Sequence, residues 1–227
     1  MDDPRLSSFV KKSLKNKTKL DLFSNVFVVF HKDIFDSNCT YPTFNSNTIE
    51  CYLHKIPHLT EVFIYLNDDV FLRNILIENL FFENRLPFSF FGLKSWNCSN
   101  EYYINKMKNN PASWSLYNTI RLFENKFDLN LQITTSHQAI IMNKTSCNLA
   151  WTLFEKEIKD KVKLRFREPL SKNDLNFPFL ANLVSIYYGY SLAIDLKKHN
   201  VKSYFCTGSN LSRLNNILNT MKSIFQS

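Results

Sequence analysis

Two adjacent carboxylates, Asp68 and Asp69, are the residues of this sequence best placed to hold a metal ion or meet a substrate. They follow Glu61 to Leu66, an apolar run of β-favouring residues that predicts a strand covered on both faces of an α/β sheet. Ligands of open α/β sheets bind beyond the carboxyl ends of the strands, and hard oxygen ligands suit Mg²⁺. Together with Asn67, the two residues also fit an ordinary turn, because Asn and Asp side chains hydrogen-bond their own backbone. On these residues alone, both interpretations stay open.

A histidine and two arginines further along the chain suit proton transfer and phosphate binding. His137 follows a short apolar run, and histidine is the side chain best able to move a proton near neutral pH, although most histidines are structural. The alternating segment Lys163 to Arg167 predicts that Arg165 and Arg167 project from the same side of a strand. Two guanidinium groups on one face suit a diphosphate, whereas a solvated strand edge explains the same alternation without any ligand.

A short helix is predicted before the carboxylate strand. Asn47 is a good N-cap, and Glu50 stands three residues later, which is the spacing of a capping box. Apolar residues then recur at helical spacing until Pro57. The sequence indicates no structural duty for Asn45, and a helix amino end is a ready anion site.

Two stretches of the chain resemble a known family. The block TFNSN, then IE, LHKIP and LTEVFIYLNDDVFL, within residues 41–73, resembles the second conserved region of the Stealth family. Residues 134–190, from TSHQ through RFR to YYGY, are similar to its third conserved region in content and order. The family comprises hexose-1-phosphate transferases of bacterial capsule synthesis and the related GlcNAc-1-phosphotransferase that tags lysosomal enzymes.

This resemblance implies an enzyme that moves a hexose 1-phosphate, such as GlcNAc-1-phosphate, from a nucleotide sugar to a glycan hydroxyl in capsular or exopolysaccharide synthesis. Asp68 or Asp69 would hold Mg²⁺ or Mn²⁺ on the diphosphate. Arg165 and Arg167 would stabilise the phosphate oxygens as charge shifts, and His137 would take the proton of the acceptor hydroxyl. Three asparagines would position the donor: Asn45, Asn47 and Asn67.

The sequence departs from the family pattern in three places. We find no segment like the family's first conserved region, Arg73 stands where the family usually has Gly, and the stretch around Cys206 lacks the expected acidic pair. We therefore expect a member of the family without the first conserved region. Two alternatives stay open: a metal-dependent glycosyltransferase, which transfers the sugar without its phosphate, and a truncated, non-catalytic glycan-binding member of the same family.

Length and composition predict one globular unit. The 227 residues suffice for a sizeable core, and the order of predicted elements indicates an α/β fold, with a Rossmann-like mixed sheet, flanking helices and a helical C-terminal part. We divide the chain into a basic lead, 1–24, and a single domain, 25–227. With 3 glycines and neither GxGxxG nor GxxxxGK, any phosphate must be held by side chains and helix ends.

The further predicted elements are strands at 26–30 and 201–206 and helices at 100–110, 113–127, 146–162, 178–188 and 209–225.

Net charge and cysteine usage limit the kinds of partner and the cellular compartment that we expect. The net charge of +8 favours anionic partners: a nucleotide-sugar donor, a glycan acceptor or, through the lysines of the lead, a membrane surface, although a solvated tail explains that lead equally. The basic residues are dispersed, which speaks against nucleic acid. Five cysteines without CxxC argue against a zinc cluster and a disulfide framework. No apolar run reaches the ~20 residues of a membrane span. We predict a cytoplasmic protein, with the inner membrane face as the alternative location.

Overall fold

The computed structural model describes residues 27–67, 70, 82–83, 85–93, 105, 108, 110–131, 133–135, 139–167, 171 and 174–195. Asp68, Asp69 and His137 lie outside these ranges, as do the basic lead and the elements predicted at 201–206 and 209–225. The described residues form helices and small sheets, which confirms the predicted α/β class. No helix among them is long and apolar enough to cross a membrane.

The described helices and strands follow in chain order. The helices are α1 (His31–Ile34), α2 (Ser46–Glu50), α3 (Pro111–Phe127), α4 (Lys144–Leu153), α5 (Glu155–Val162) and α6 (Phe177–Tyr187), with a 3-10 helix at Leu53–Lys55. The strands are β1 (Val62–Tyr65), β2 (Phe82–Glu83), β3 (Leu86–Leu93), β4 (Ile133–Thr134), β5 (Ile140–Asn143) and β6 (Leu192–Asp195).

The strands pair in both directions. β1 pairs antiparallel with β5, and β3 pairs antiparallel with β2 and β4 but parallel with β6. In β1, Phe63 packs into the core, while Ile64 on the opposite face is 37% exposed. The face that carries Ile64 is nevertheless covered, because Val62 lies on it and packs with Phe88 and Ile141 in a second hydrophobic cluster. The predicted coverage of this strand on both faces is therefore confirmed, with Ile64 partly exposed. A Rossmann-like order of strands remains a prediction.

The strand predicted at 26–30 is also wrong. Residues 27–30 have no regular structure, and the side chain of Phe27 is 85% exposed. The chain instead turns into α1, where the Asp33 carboxylate accepts a hydrogen bond from the Phe30 N–H at 3.2 Å. A helical turn begins there, so the β-favouring composition of the run is overridden by its surroundings.

The core is built around α6. Every residue from Phe177 to Ser185 is buried, and the helix packs against α3, α4 and β5. The sequence predicted the bounds of this helix within one residue, because local signals set them. The Asn176 side chain caps the amino end by accepting from the Phe179 N–H at 3.0 Å, and the chain leaves the helix at Gly189, whose φ of +76° favours glycine.

Two other predicted helices differ at their ends. α3 begins at Pro111, with Asn110 as its cap, because proline suits the first helical position. The helix predicted at 146–162 consists of α4 and α5, which are separated at Phe154, where φ is −125° and ψ is 35°. The buried phenyl ring of Phe154 joins the core at this break.

A buried ion pair connects α5 to the segment before α6. Lys161 and Asp174 have side-chain exposures of 0% and 2%, and their Nζ and Oδ1 atoms are in contact. The same Asp174 carboxylate accepts a hydrogen bond from Asn47 at 2.9 Å, and its backbone carbonyl accepts one from Asn118 at 3.1 Å. The pair therefore holds α2, α3 and α5 around one point, where an unpaired charge would be costly.

We expect Asp174→Ala to lower the free energy of unfolding by roughly 3–5 kcal/mol, because it leaves the Lys161 ammonium buried without its partner. Urea denaturation measures this loss. The control is Asp160→Ala, which removes an exposed ion pair with Lys163 and should change stability by less than about 1 kcal/mol. Equal losses in the two variants would contradict the role given to the buried pair.

Candidate functional site

The site is formed where residues 40–48 lie against residues 162–166. Five consecutive carbonyl groups of the second segment accept hydrogen bonds from the first. The backbone N–H groups of Thr40 and Phe44 donate to Val162 and Arg165, at 3.1 and 2.8 Å. The two segments are thereby held together over their whole length, although more than 100 residues separate them in sequence.

Hydroxyl and amide side chains provide the remaining donors. Thr48 Oγ1 donates to the Leu164 carbonyl at 3.3 Å, Thr40 Oγ1 to that of Lys163 at 2.8 Å, and Asn45 Nδ2 to that of Phe166 at 3.2 Å. Side-chain donors do not require the alternating geometry of a β ladder. The strand predicted at 163–167 is therefore wrong: this segment consists of bends and irregular backbone.

The helix α2 does not begin at the asparagine predicted to cap it. Asn45, not Asn47, stands at the N-cap, and its side chain makes no capping bond. Its Oδ1 atom is buried without a hydrogen-bond partner in the described part of the chain. Asn47 lies inside the helix and donates to the Asp174 carboxylate, so the predicted capping box with Glu50 is wrong. The Asn47 amide is thus engaged by a charge-assisted hydrogen bond to a buried carboxylate.

Arg165 and Arg167 both reach the start of α2, by different contacts. Arg167 Nη2 donates to Ser46 Oγ. Arg165 instead lies with its guanidinium carbon 5.5 Å from the ring centre of Phe44 and 5.7 Å from that of Phe166. The arginines thus lie at one end of the helix without sharing a partner, and both are exposed to solvent.

A buried carboxyl that the sequence analysis treated only as part of a cap lies beside them. Glu50 is 7% exposed, and its Oε1 atom is 2.9 Å from the Tyr65 hydroxyl. Burial raises the pKa of Glu50 to about 7, although the hydrogen bond from Tyr65 and the charges of Arg167 and Lys161 act in the opposite direction. The sequence signal for this residue was its spacing of three from Asn47, which places both side chains on one face of α2.

The Tyr65 hydroxyl connects Glu50 to the end of β1. It lies within hydrogen-bonding distance of both Glu50 Oε1 and Asn67 Oδ1. A tyrosine hydroxyl carries one hydrogen and cannot donate to two oxygen atoms at once. The hydroxyl therefore donates to only one of them at a time, and it lies between the buried Glu50 carboxyl and Asn67, the residue before Asp68.

The described residues contain no group of three or more His, Cys, Asp or Glu side chains that could hold a metal ion. The residue types at the end of β1 nevertheless fit Mg²⁺ or Mn²⁺, since an amide oxygen at Asn67 is followed by two carboxylates in the sequence. Cys39, Cys51 and Cys147 are free thiols, and burial raises the pKa of each.

Comparison with known families gives one match. Residues 16–88 match the model of Stealth protein CR2, conserved region 2. The match includes residues 40–48, Glu50 and the end of β1.

Curated relatives extend the similarity over most of the chain. A capsular polysaccharide phosphotransferase of Actinobacillus pleuropneumoniae is 34% identical over 185 residues, which are 79% of this chain and 47% of that protein. A capsular polysaccharide phosphotransferase of Haemophilus influenzae is 35% identical over 177 residues, 77% of this chain and 45% of its own length. One of Neisseria meningitidis is 32% identical over 189 residues, 83% and 49% respectively. The chain spans about half the length of the curated relatives it matches.

The geometry around Glu50 predicts a pH dependence of stability. The unfolded chain loses this proton near the ordinary value of 4.5, whereas the folded chain keeps it to about 7, so ionisation of Glu50 favours unfolding as pH rises through this window. Glu50→Gln should remove this contribution. The free energy of unfolding of the variant, minus that of the wild type, should therefore rise by on the order of 2–3 kcal/mol as the pH is raised from 4.5 to 7.

Urea denaturation across that pH range measures the difference between the two proteins, so that other titrating groups cancel. Glu155→Gln, at an exposed carboxylate, is the control. Parallel profiles for the wild type and Glu50→Gln would show that the buried carboxyl does not titrate as described.

The resemblance noted in the sequence, the match to conserved region 2 and the curated relatives agree on one assignment. The segment that carries Arg165 and Arg167 lies in the stretch that resembles the third conserved region, and the structure joins it to the stretch that matches the second. The chain belongs to the Stealth family.

Proposed function

We propose that this chain is a sugar-phosphate transferase of capsule or exopolysaccharide synthesis. It transfers a hexose 1-phosphate, such as GlcNAc-1-phosphate, from a nucleotide sugar to a glycan hydroxyl and releases the nucleoside monophosphate. The observation that carries the proposal is the placement of Arg167 at Ser46, within the electrostatic reach of the buried Glu50. The relatives, whose names describe capsular polysaccharide phosphotransferases, support the same reaction class.

Phosphoryl transfer depends on neutralising charge and holding the reactants in line. Arg167 is exposed and donates to Ser46, so its planar guanidinium can hold two phosphate oxygens without first being ordered. Arg165 adds a second positive charge at the same end of α2. We assign to both arginines the stabilisation of the phosphate oxygens as the bond to the leaving nucleotide breaks.

The other roles in the proposal rest on residue chemistry. Asp68 and Asp69 would hold Mg²⁺ or Mn²⁺, and the ion when bound would neutralise part of the diphosphate charge. His137 would accept the proton of the acceptor hydroxyl. Asn45 offers a buried carbonyl oxygen that has no partner among the described residues, and Asn67 orients the chain before Asp68.

Asn47 has a different part in the proposal. Its amide already donates to Asp174, so it positions the donor through the segment that precedes α6.

The reaction class is tested by incubating the protein with UDP-GlcNAc, Mg²⁺ and a pool of glycan acceptors. We expect UMP release that falls at least about 100-fold in Asp68→Ala and His137→Ala, since each removes a group that acts in the transition state. Asp160→Ala, at an exposed carboxylate, is the control for Asp68→Ala. His58→Asn is the control for His137→Ala, because His58 is exposed and asparagine tolerates its φ of 60°.

The released nucleotide separates the alternatives. UDP in place of UMP would identify a glycosyltransferase and contradict the proposal. A folded protein that binds glycan but releases no nucleotide from UDP-sugars or other nucleotide sugars would be a non-catalytic member of the family.

Arg167→Lys tests the phosphate role of the guanidinium. Lysine keeps the charge but lacks the planar fork, so we expect kcat to fall about 10–100-fold with a small change in the free energy of unfolding. The comparison variant is Arg121→Lys, at an arginine that forms an ion pair with Glu124 on α3. Unchanged kcat in Arg167→Lys would remove this arginine from the reaction.

A further inference from the structure

Two phenyl rings stand in parallel on the surface beside the proposed phosphate site. Phe44 and Phe166 are 49% and 57% exposed, their ring centres are 5.4 Å apart, and their planes differ by 9°. The Arg165 guanidinium lies about equally far from both rings, at 5.5 and 5.7 Å. We call these three residues the aromatic platform.

The platform is held rigidly from below. The Phe44 N–H donates to the Arg165 carbonyl at 2.8 Å, and the same carbonyl accepts from Thr43 Oγ1 at 3.2 Å. The buried amide of Asn45 holds the Phe166 carbonyl at 3.2 Å. Hydrogen bonds thus fix the backbone of both aromatic residues, while their rings remain open to solvent. A ligand that stacks on fixed rings loses less conformational entropy on binding than one that must order them.

The platform adjoins the residues assigned to the donor phosphate. Phe44 is two residues from Ser46, and Phe166 directly precedes Arg167, which donates to Ser46 Oγ. A ligand on the rings therefore meets one guanidinium at the platform and a second one next to it. The chain carries a net charge of +8, which adds a general attraction for an anionic ligand.

We infer that the aromatic platform is the subsite for the acceptor glycan, in which a sugar ring stacks on the outer face of the Phe44–Phe166 pair and a phosphodiester of the same glycan contacts Arg165. The inference rests on the proposed function, because a polymer built by hexose-1-phosphate transfer alternates sugar rings with phosphodiesters. Each ring offers an apolar C–H face to an aromatic ring, and each phosphodiester offers one negative charge to a guanidinium.

The exposure of the rings favours a glycan over the base of the nucleotide sugar. Small ligands are usually enclosed, with most of their surface buried in a cleft. Rings that are about half exposed suit a chain that continues beyond the site at one or both ends.

Kinetics with separate variation of donor and acceptor tests the assignment. The acceptors are short oligosaccharides in which GlcNAc, ManNAc or galactose units are joined by 1-phosphodiesters. We expect Phe166→Ala and Phe44→Ala to raise the acceptor KM about tenfold, a loss typical of one stacking contact, with the donor KM and kcat within about twofold of the wild type. Phe166→Tyr keeps the ring and should restore the wild-type acceptor KM. Phe27→Ala, at an exposed phenyl ring outside the platform, is the control.

Two results would overturn the inference. A rise in the donor KM with an unchanged acceptor KM would show that the platform stacks on the nucleobase, and unchanged values of both would show that it binds neither ligand. The thermal unfolding temperature of each variant is compared with that of Phe27→Ala, so that a folding defect is not read as a loss of binding.

A binding measurement separates this inference from the proposed function. Saturation-transfer NMR of the same oligosaccharides with the wild type and Phe166→Ala requires no turnover. Binding that depends on Phe166 in a protein without transferase activity would retain the subsite and reject the reaction. Transferase activity with oligosaccharide binding equal in the two proteins would retain the reaction and reject the subsite.

Discussion

The structure depends on one run of five carbonyl groups. The carbonyls of residues 162–166 lie against residues 40–48, and each finds a donor there. Backbone carbonyls removed from water must be hydrogen-bonded, so the donors cannot be replaced freely by apolar side chains. This requirement explains the polar composition of the first segment, in which Thr43, Asn45 and Thr48 provide donors that a regular strand would have provided from its backbone. The same hydrogen bonds place Arg165 and Arg167 at the start of α2.

The buried Lys161–Asp174 pair stabilises the same arrangement from the other side. The two residues lie 13 positions apart, on either side of the segment that carries the arginines. Their contact closes that segment into a loop, and Asn47 attaches the loop to α2. Charge burial of this kind adds little net stability over an apolar contact, but it penalises alternative arrangements because an unpaired charge would remain buried. The placement of the arginines is therefore specified by two independent sets of contacts.

The sequence predicted the elements whose signals are local. α6 was predicted within one residue because Asn176, Pro178 and Gly189 act on their own neighbours. Sequence-based prediction was wrong where a partner far away in the chain determines the local structure. Asn47 has a good capping type and spacing, yet Asp174, 127 residues away, accepts from its amide. Residues 163–167 alternate like a strand, yet the carbonyls of residues 163–166 accept hydrogen bonds from residues 40–48, mostly from side chains.

The candidate site was predicted to a similar extent. Asn45 and Arg167 were predicted as site residues, and the structure brings them to the same end of α2, while their roles stay predictions. Glu50 was missed as a site residue because its raised pKa comes from burial, and its hydrogen bond comes from Tyr65, neither of which a helix pattern reveals.

The central claim is that residues 40–48 and the segment that carries Arg165 and Arg167 act together as one donor site. A double-mutant cycle of Ser46→Ala and Arg167→Ala, read as UDP-GlcNAc affinity by titration calorimetry, tests it most directly. We predict a coupling free energy of at least about 0.5–1 kcal/mol between the two positions. Additive losses, or affinity unaffected by either change, would contradict the claim.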